Sequence, residues 1–191
     1  MVKIQVTPTQ NEITFGDGEL IVSKTDLKGH ITYANDVFMR VSQFDEHELI
    51  GQPHSVIRHP DMPRCVFKLL WDTISQGGEV FAYVKNIARN GDYYWVFAHV
   101  TPTFDEGGNI IGYHSNRRSP DRHAVEVMSV LYAHLLKEER RHSNAKDGLN
   151  AGFQMLSNIL ETQGIPYDEF IFTMGNIESS DGLAKALSGY N

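Results

Sequence analysis

A chain of 191 residues with 41% hydrophobic and 21% charged residues has the make-up of a soluble globular protein, long enough to bury a core without covalent staples. Its net charge of −7 and the lack of a basic run argue against nucleic acid as a partner, because phosphate binding needs clustered lysine or arginine. One cysteine, Cys65, rules out an internal disulfide and a thiolate metal site, and with no signal peptide and no run of ~20 apolar residues the chain is expected in the cytoplasm without a membrane span.

Residues 1–18 are weakly patterned, and Ile4, Val6, Ile13 and Phe15 fit a short strand or a cap laid over a domain. Leu20-Ile21-Val22 reads as a buried strand, Asp26-Leu27-Lys28-Gly29 as a turn, and the stretch around Ile31 and Tyr33 as the returning strand, so 19–34 is a predicted hairpin. Asn35 and Asp36 are N-cap residues for a helix carrying Val37, Phe38 and Val41. A short helix over 46–50 is closed by Gly51. After a polar run, Val66, Phe67, Leu70, Trp71 and Ile74 share one helical face over 65–75, and Gly77-Gly78 ends that helix.

Three strands are expected next. They cover 80–89, 93–103 and 110–117, divided by the Asn90-Gly91 hairpin signal and by Asp105-Glu106-Gly107-Gly108-Asn109. Two strands, short helices, then three strands make an α+β domain over 19–119: a five-stranded antiparallel sheet with helices on one side. The tail, 120–191, is a helical extension. One stripe comprises Val125, Met128, Leu131, Tyr132, Leu135 and Leu136; a second helix over 145–163 carries Leu149, Phe153, Leu156, Ile159 and Leu160. Gly164-Ile165-Pro166 stops it, 167–174 forms a last apolar turn, and 178–191 is polar and frayed. The short charged cluster Lys137 to Arg141, interrupted by Glu138 and Glu139, reads as a solvated helix face.

The chemistry is concentrated in Gly51-Gln52-Pro53-His54-Ser55-Val56-Ile57-Arg58-His59-Pro60-Asp61. Three prolines, Pro53, Pro60 and Pro63, forbid one long helix and leave short turns with polar side chains held in fixed directions. Such a run either caps its own neighbours or lines a ligand pocket. Arg58 and Asp61 fit a surface ion pair as well as a ligand site. His54 and His59 fit haem ligation, although no haem motif surrounds them. Trp71 and Trp95 read first as packing residues. Dinucleotide and phosphate loops and the nucleophile elbow are missing, and no pair has metal-ligand spacing on a predicted helix, so the chain reads as a non-enzyme.

Certain stretches carry a resemblance. They are Tyr33-Ala34-Asn35-Asp36 with Phe38, Glu48-Leu49 with Gly51 and Pro53-His54, Arg58-His59-Pro60-Asp61-Met62-Pro63, Val84-Lys85-Asn86, Asn90-Gly91-Asp92 with Tyr94-Trp95-Val96, and Gly112-Tyr113. Residues 19–119 resemble a PAS domain, specifically the FAD-binding PAS domain of bacterial aerotaxis receptors. The resemblance implies a non-catalytic FAD site that reports redox state or oxygen to the chemotaxis machinery. It assigns cofactor binding to Arg58, His59 and Asp61, with Asn86 facing the polar edge of the flavin. Asn35 is a further candidate, and Trp71 is kept as a stacking candidate. The family's tryptophan at the start of the third strand is replaced here: ungapped counting reaches Val80, and Phe81 beside it is the imperfect substitute. Light-sensing relatives carry Asn-Cys-Arg where this chain has Pro53-His54-Ser55, which argues against a photochemical adduct. By the same resemblance the expected partners are a second copy in a homodimer and a separate chemoreceptor or signalling protein. A PAS domain binding haem or another small molecule, and a ligand-free PAS interaction module, stay open as alternatives.

Overall fold

The expected hairpin forms from β1 (Ile21–Thr25) and β2 (Ile31–Ala34), paired antiparallel with a bulge between Lys24 and Thr25. Its turn is held by Asp26, whose Oδ1 accepts from the backbone N–H groups of Lys28 and His30, both at 2.8 Å. The computed structural model describes residues 6–174, so Ile4 and the tail expected to fray over 178–191 lie outside the described residues.

Asn35 starts helix α1 (Asp36–Ser42), and its side chain does more than cap. Oδ1 accepts from Phe38 N at 3.0 Å and from Val22 N at 2.9 Å, while Nδ2 donates to Leu20 O at 2.8 Å. One amide thus ties the helix start to β1. Asn35→Ala removes all three bonds and is expected to cost about 1–2 kcal/mol, read as a lower denaturant midpoint with unchanged slope. Helix α2 (Glu46–Leu49) opens with a capping box in which Asp45 and Glu48 satisfy each other's backbone, and Gly51, at φ +79°, turns the chain after it. A 3-10 turn, His54–Ile57, precedes α3 (Arg64–Ile74).

The remaining strands are β3 (Val80–Ile87), β4 (Tyr93–Phe104) and β5 (Ile110–Arg118). The five-stranded sheet has the order β2-β1-β5-β4-β3, with every neighbouring pair antiparallel. Gly91 is required at the β3–β4 turn: its φ is +97°, and a Cβ there would sit 2.1 Å from Thr7 O. The N-terminal segment runs beside this turn. Thr9 N donates to Gly91 O, Tyr93 N to Asn11 O, and Ile13 N to Tyr93 O, giving the cap segment a strand-like docking.

Contacts divide the chain into two units: residues up to 60 with 73–119, and residues 61–72 with the chain from 120 onward. The first holds the sheet, α1 and α2. Residues 61–72, expected within the sheet domain, group with the C-terminal helices. Those helices are α4 (Arg122–Arg140), α5 (Ala145–Gln163) and α6 (Tyr167–Thr173). Asp121 caps α4 through a 2.8 Å bond from Ala124 N, and Gly164, at φ +69°, ends α5. Met128, Leu131 and Leu135 of α4, Leu156 and Ile159 of α5 and Phe170 and Ile171 of α6 are buried. Glu139 departs from the solvated face expected for its cluster: it is 3% exposed. Among the described residues no helix is long and apolar enough to cross a membrane.

Candidate functional site

Four neighbouring strands, β1, β5, β4 and β3, bring together polar side chains that the sequence scatters. Residues opposite each other in an antiparallel pair share a side of the sheet, and sides alternate along a strand. Asn86 lies opposite Tyr94, Ala98 opposite Arg117, and Ser115 opposite Ser23. Counted by twos, Asn86, Tyr94, Arg117 and Ser23 all look to one side. It is the side of α1 and the 3-10 turn. The Arg117 guanidinium lies 4.4 Å from the Phe38 ring, and its Nη2 donates to Ser23 Oγ. The same hydroxyl is 3.1 Å from Nε2 of His54, whose ring stacks on Phe38 with centroids 6.0 Å apart.

The electrostatics of this cluster are unusual for a core. Arg117 is 2% exposed, and burial lowers its pKa to about 10, which still leaves it a cation at neutral pH. Within the protein its Nε and Nη1 have no hydrogen-bond partner, and neither does the hydroxyl of fully buried Tyr94. A buried charge with unsatisfied donors costs several kcal/mol, so native proteins carry one where something else is meant to satisfy it. Burial first, then the charges of Arg117 and Arg58, push His54 down to about 3, so its ring is neutral. The charges of two arginines therefore act on one imidazole. Burial also raises the Tyr94 phenol above its ordinary range, partly offset by Arg117, which keeps the hydroxyl a donor.

The expected site residues divide by position. Arg58 forms a backbone bridge with Asn86, which is 4% exposed, so Arg58 lies against β3, the edge strand of the sheet. His59, 3% exposed, sets its ring edge-on to Tyr93 at 6.1 Å. Tyr93 points to the opposite side of β4 from Tyr94. Asn35 commits its amide to α1 and β1, a structural use. Phe81 takes the other side from Val80, as a one-residue slip requires. It lies opposite His99, five residues from Asn86 and so on the other side of the sheet, stacked on His99 at 4.2 Å and on Phe97 at 5.9 Å. Val80 holds the side that Asn86 shares. Asp61 is exposed and Trp71 half-buried, both in the unit of C-terminal helices.

Arg117, Tyr94 and Ser23 were not expected as binding residues, and His54 was weighed only as a haem ligand. A signal for Arg117 was present: it stands four residues after Tyr113, a position that alternation puts on the same side.

Comparison with known proteins is consistent with this architecture. The PAS fold family matches residues 31–117, the span from β2 through Arg117. Residues 31–117 are a PAS domain. The chain is 41% identical over 124 residues to the aerotaxis receptor of Escherichia coli (strain K12), covering 65% of this chain and 24% of that one. It is 27% identical over 125 residues to the biofilm dispersion protein BdlA of Pseudomonas aeruginosa, covering 61% of this chain and 29% of that one. The chain thus spans less than a third of these relatives. Among solved structures, a light-oxygen-voltage domain described with a flavin analogue matches at TM-score 0.51 and 16% identity, over 64% of this chain and 87% of that one. That likeness shows the shared fold of the PAS domain.

The donor set can be matched to the flavin that the resemblance implies. Flavin presents carbonyl oxygens and ring nitrogens along one edge and a pyrophosphate at the far end of FAD. Arg117 and Tyr94 offer three buried donors with no partner for an acceptor edge, and Arg58 supplies a forked cation suited to phosphate. The residues present fit the group.

Proposed function

We propose that this PAS domain is a non-catalytic redox sensor that binds FAD on the inner side of its sheet and passes its state by contact to a separate signalling protein of the chemotaxis type. The observation that carries the reading is Arg117, a fully buried cation with two unsatisfied nitrogens facing α1. The similarity to an aerotaxis receptor supports both the cofactor and the signalling role, and pairing with a second copy is part of the proposal.

Bound flavin would supply a reversible redox change in which charge and protonation at its polar edge alter. The chain's own residues are suited to hold and read that change. Arg117 and Tyr94 donate toward the edge, and the cation favours whichever form carries negative charge. His54, held neutral, adds no competing charge and fixes the Ser23 hydroxyl beside Arg117. The Asn86 amide can both donate and accept, so it can turn when an acceptor becomes a donor. Because Asn86 bridges Arg58 through backbone, a turn there reaches the 3-10 segment directly.

The full chain purified without added ligand, or after mixing with FAD, is expected to show the visible absorbance of oxidised flavin and to release FAD on heating. A haem spectrum would shift the assignment to the histidines. A protein that stays colourless after FAD is added would overturn the reading and favour an interaction module.

A further inference from the structure

The N-terminal segment has no part in the proposed function, yet it is docked on the sheet unit at a defined place. β4 starts at Tyr93, whereas its pairing with β5 runs only from Phe97, opposite Arg118. Residues 11–13 lie parallel to β4 beside its first residue: Tyr93 N donates to Asn11 O at 2.9 Å, and Ile13 N donates to Tyr93 O at 2.8 Å. Both backbone groups of Tyr93 thus go to the segment. A second hold lies at the turn before β4. Asp92 Oδ1 accepts from Thr9 Oγ1 at 2.5 Å and from Asn11 Nδ2 at 3.3 Å, and Thr9 N donates to Gly91 O at 2.8 Å. The bond from Thr9 first, then those from Asn90 and Asn11, hold the Asp92 carboxyl below its ordinary range, so it accepts as an ion at neutral pH.

Every residue from 6 to 19 is half-buried or exposed, so the docking rests on these polar bonds rather than on a core. A segment held by few bonds and little buried apolar surface opens at low cost. Its base is anchored differently. Gly16 N donates to Glu19 Oε2 at 2.8 Å, and Glu19 pairs with Arg40 of α1. A Cβ on Gly18 would meet nothing within 4 Å, so Gly16-Asp17-Gly18 has room to act as a hinge.

Tyr93 also meets the binding-site run. Its ring is edge-on to His59, with centroids 6.1 Å apart, and Lys85 Nζ lies 4.4 Å from the same ring. His59 follows Arg58, whose backbone bridges Asn86. One residue therefore carries the N-terminal segment on its backbone and the Arg58–His59 run on its ring, all within the sheet unit. We propose that residues 9–13 are a displaceable strap that reads the binding site through Tyr93. The strap is docked while the His59 ring stands against Tyr93, and it is released when the Arg58–His59 run shifts, with Asp92 as its peg. Release uncovers the start of β4 and hands the segment to solvent or to another surface. The proposal rests on the flavin reading only for what shifts the run.

The test is hydrogen exchange of the Ile13 N–H in the full chain, with β1 amides as the reference for global opening. Thr9→Val removes a donor to the peg and is expected to speed Ile13 exchange roughly tenfold. Arg58→Ala is expected to do the same. In a Tyr93→Leu background, which keeps the backbone bonds and removes the ring, Arg58→Ala is expected to add little, because its effect passes through that ring. Unchanged Ile13 exchange in Thr9→Val or in Arg58→Ala would overturn the proposal, as would an Arg58→Ala effect that persists in full beside Tyr93→Leu. Should Arg58→Ala fail to fold, His59→Leu, which removes the ring facing Tyr93, gives the same comparison. The visible spectrum of the same samples tests the cofactor separately. A coupled response in a protein that takes up no FAD overturns the flavin reading and keeps the strap; bound FAD with Ile13 exchange indifferent to Arg58 does the reverse.

Discussion

Arg117→Met is expected to stabilise the cofactor-free domain by about 1–4 kcal/mol while weakening FAD binding by about 30-fold, a loss of about 2 kcal/mol. The two effects have one cause. In the free protein the guanidinium is buried with a single hydrogen bond, to Ser23, and the face of Phe38 as its other partner. Methionine fills similar volume without charge, so the cost of desolvation disappears. On the proposed function, the same charge and its two spare donors would meet the acceptor-rich edge of the flavin, and methionine would offer that edge nothing. Ser23 keeps its bond to His54, which limits collateral damage. Denaturant melts with and without FAD check both halves. A variant that is destabilised when free and binds FAD normally would remove Arg117 from the site. Any flavin the variant retains should titrate at a lower potential. For a two-electron couple a shift of about 30 mV corresponds to about 1.4 kcal/mol.

His54 carries the second large effect. Its folded pKa is near 3, below the ordinary value of 6.5. The unfolded chain therefore takes up a proton between those values that the folded chain does not. The stability tied to neutral His54 is full above pH 6.5 and falls as pH drops toward 3, by up to about 1.4 kcal/mol per pH unit. His54→Gln keeps a polar group beside Ser23 and cannot take that proton. Its stability between pH 6.5 and 4.5 should decline with one proton less of slope than wild type, measured by denaturant unfolding across that range. Equal slopes would show that His54 titrates normally in the fold.

Much of this architecture was legible in local chemistry. Asn35 marked the start of α1, Gly51 the turn after α2, and Asn90-Gly91 the β3–β4 hairpin, because each position demands a residue with special capping or backbone freedom. Helical periodicity placed α5 at its observed bounds. What was hidden depends on register and on partners distant in sequence. Arg117 and Arg118 look alike as text, yet alternation buries one and exposes the other. Phe81 was an imperfect substitute for an expected tryptophan because it stands one residue from Val80, and its odd spacing from Asn86 sends it to the far side. Glu139 was grouped with its charged neighbours. It nevertheless lies four residues after Leu135 and seven after Tyr132, on the apolar stripe, which is the signal that an acidic residue there meets a buried partner.

The central claim is that Arg117 is the cation that receives the cofactor. Side-chain NMR of isotope-labelled arginine tests it directly, with the Arg117 Nε–H signal assigned by its loss in Arg117→Met. On addition of FAD that signal should shift downfield and become protected from solvent exchange as a new acceptor bonds to it. Saturating FAD that leaves the Arg117 signal in place would contradict the account, whether or not the protein has turned yellow.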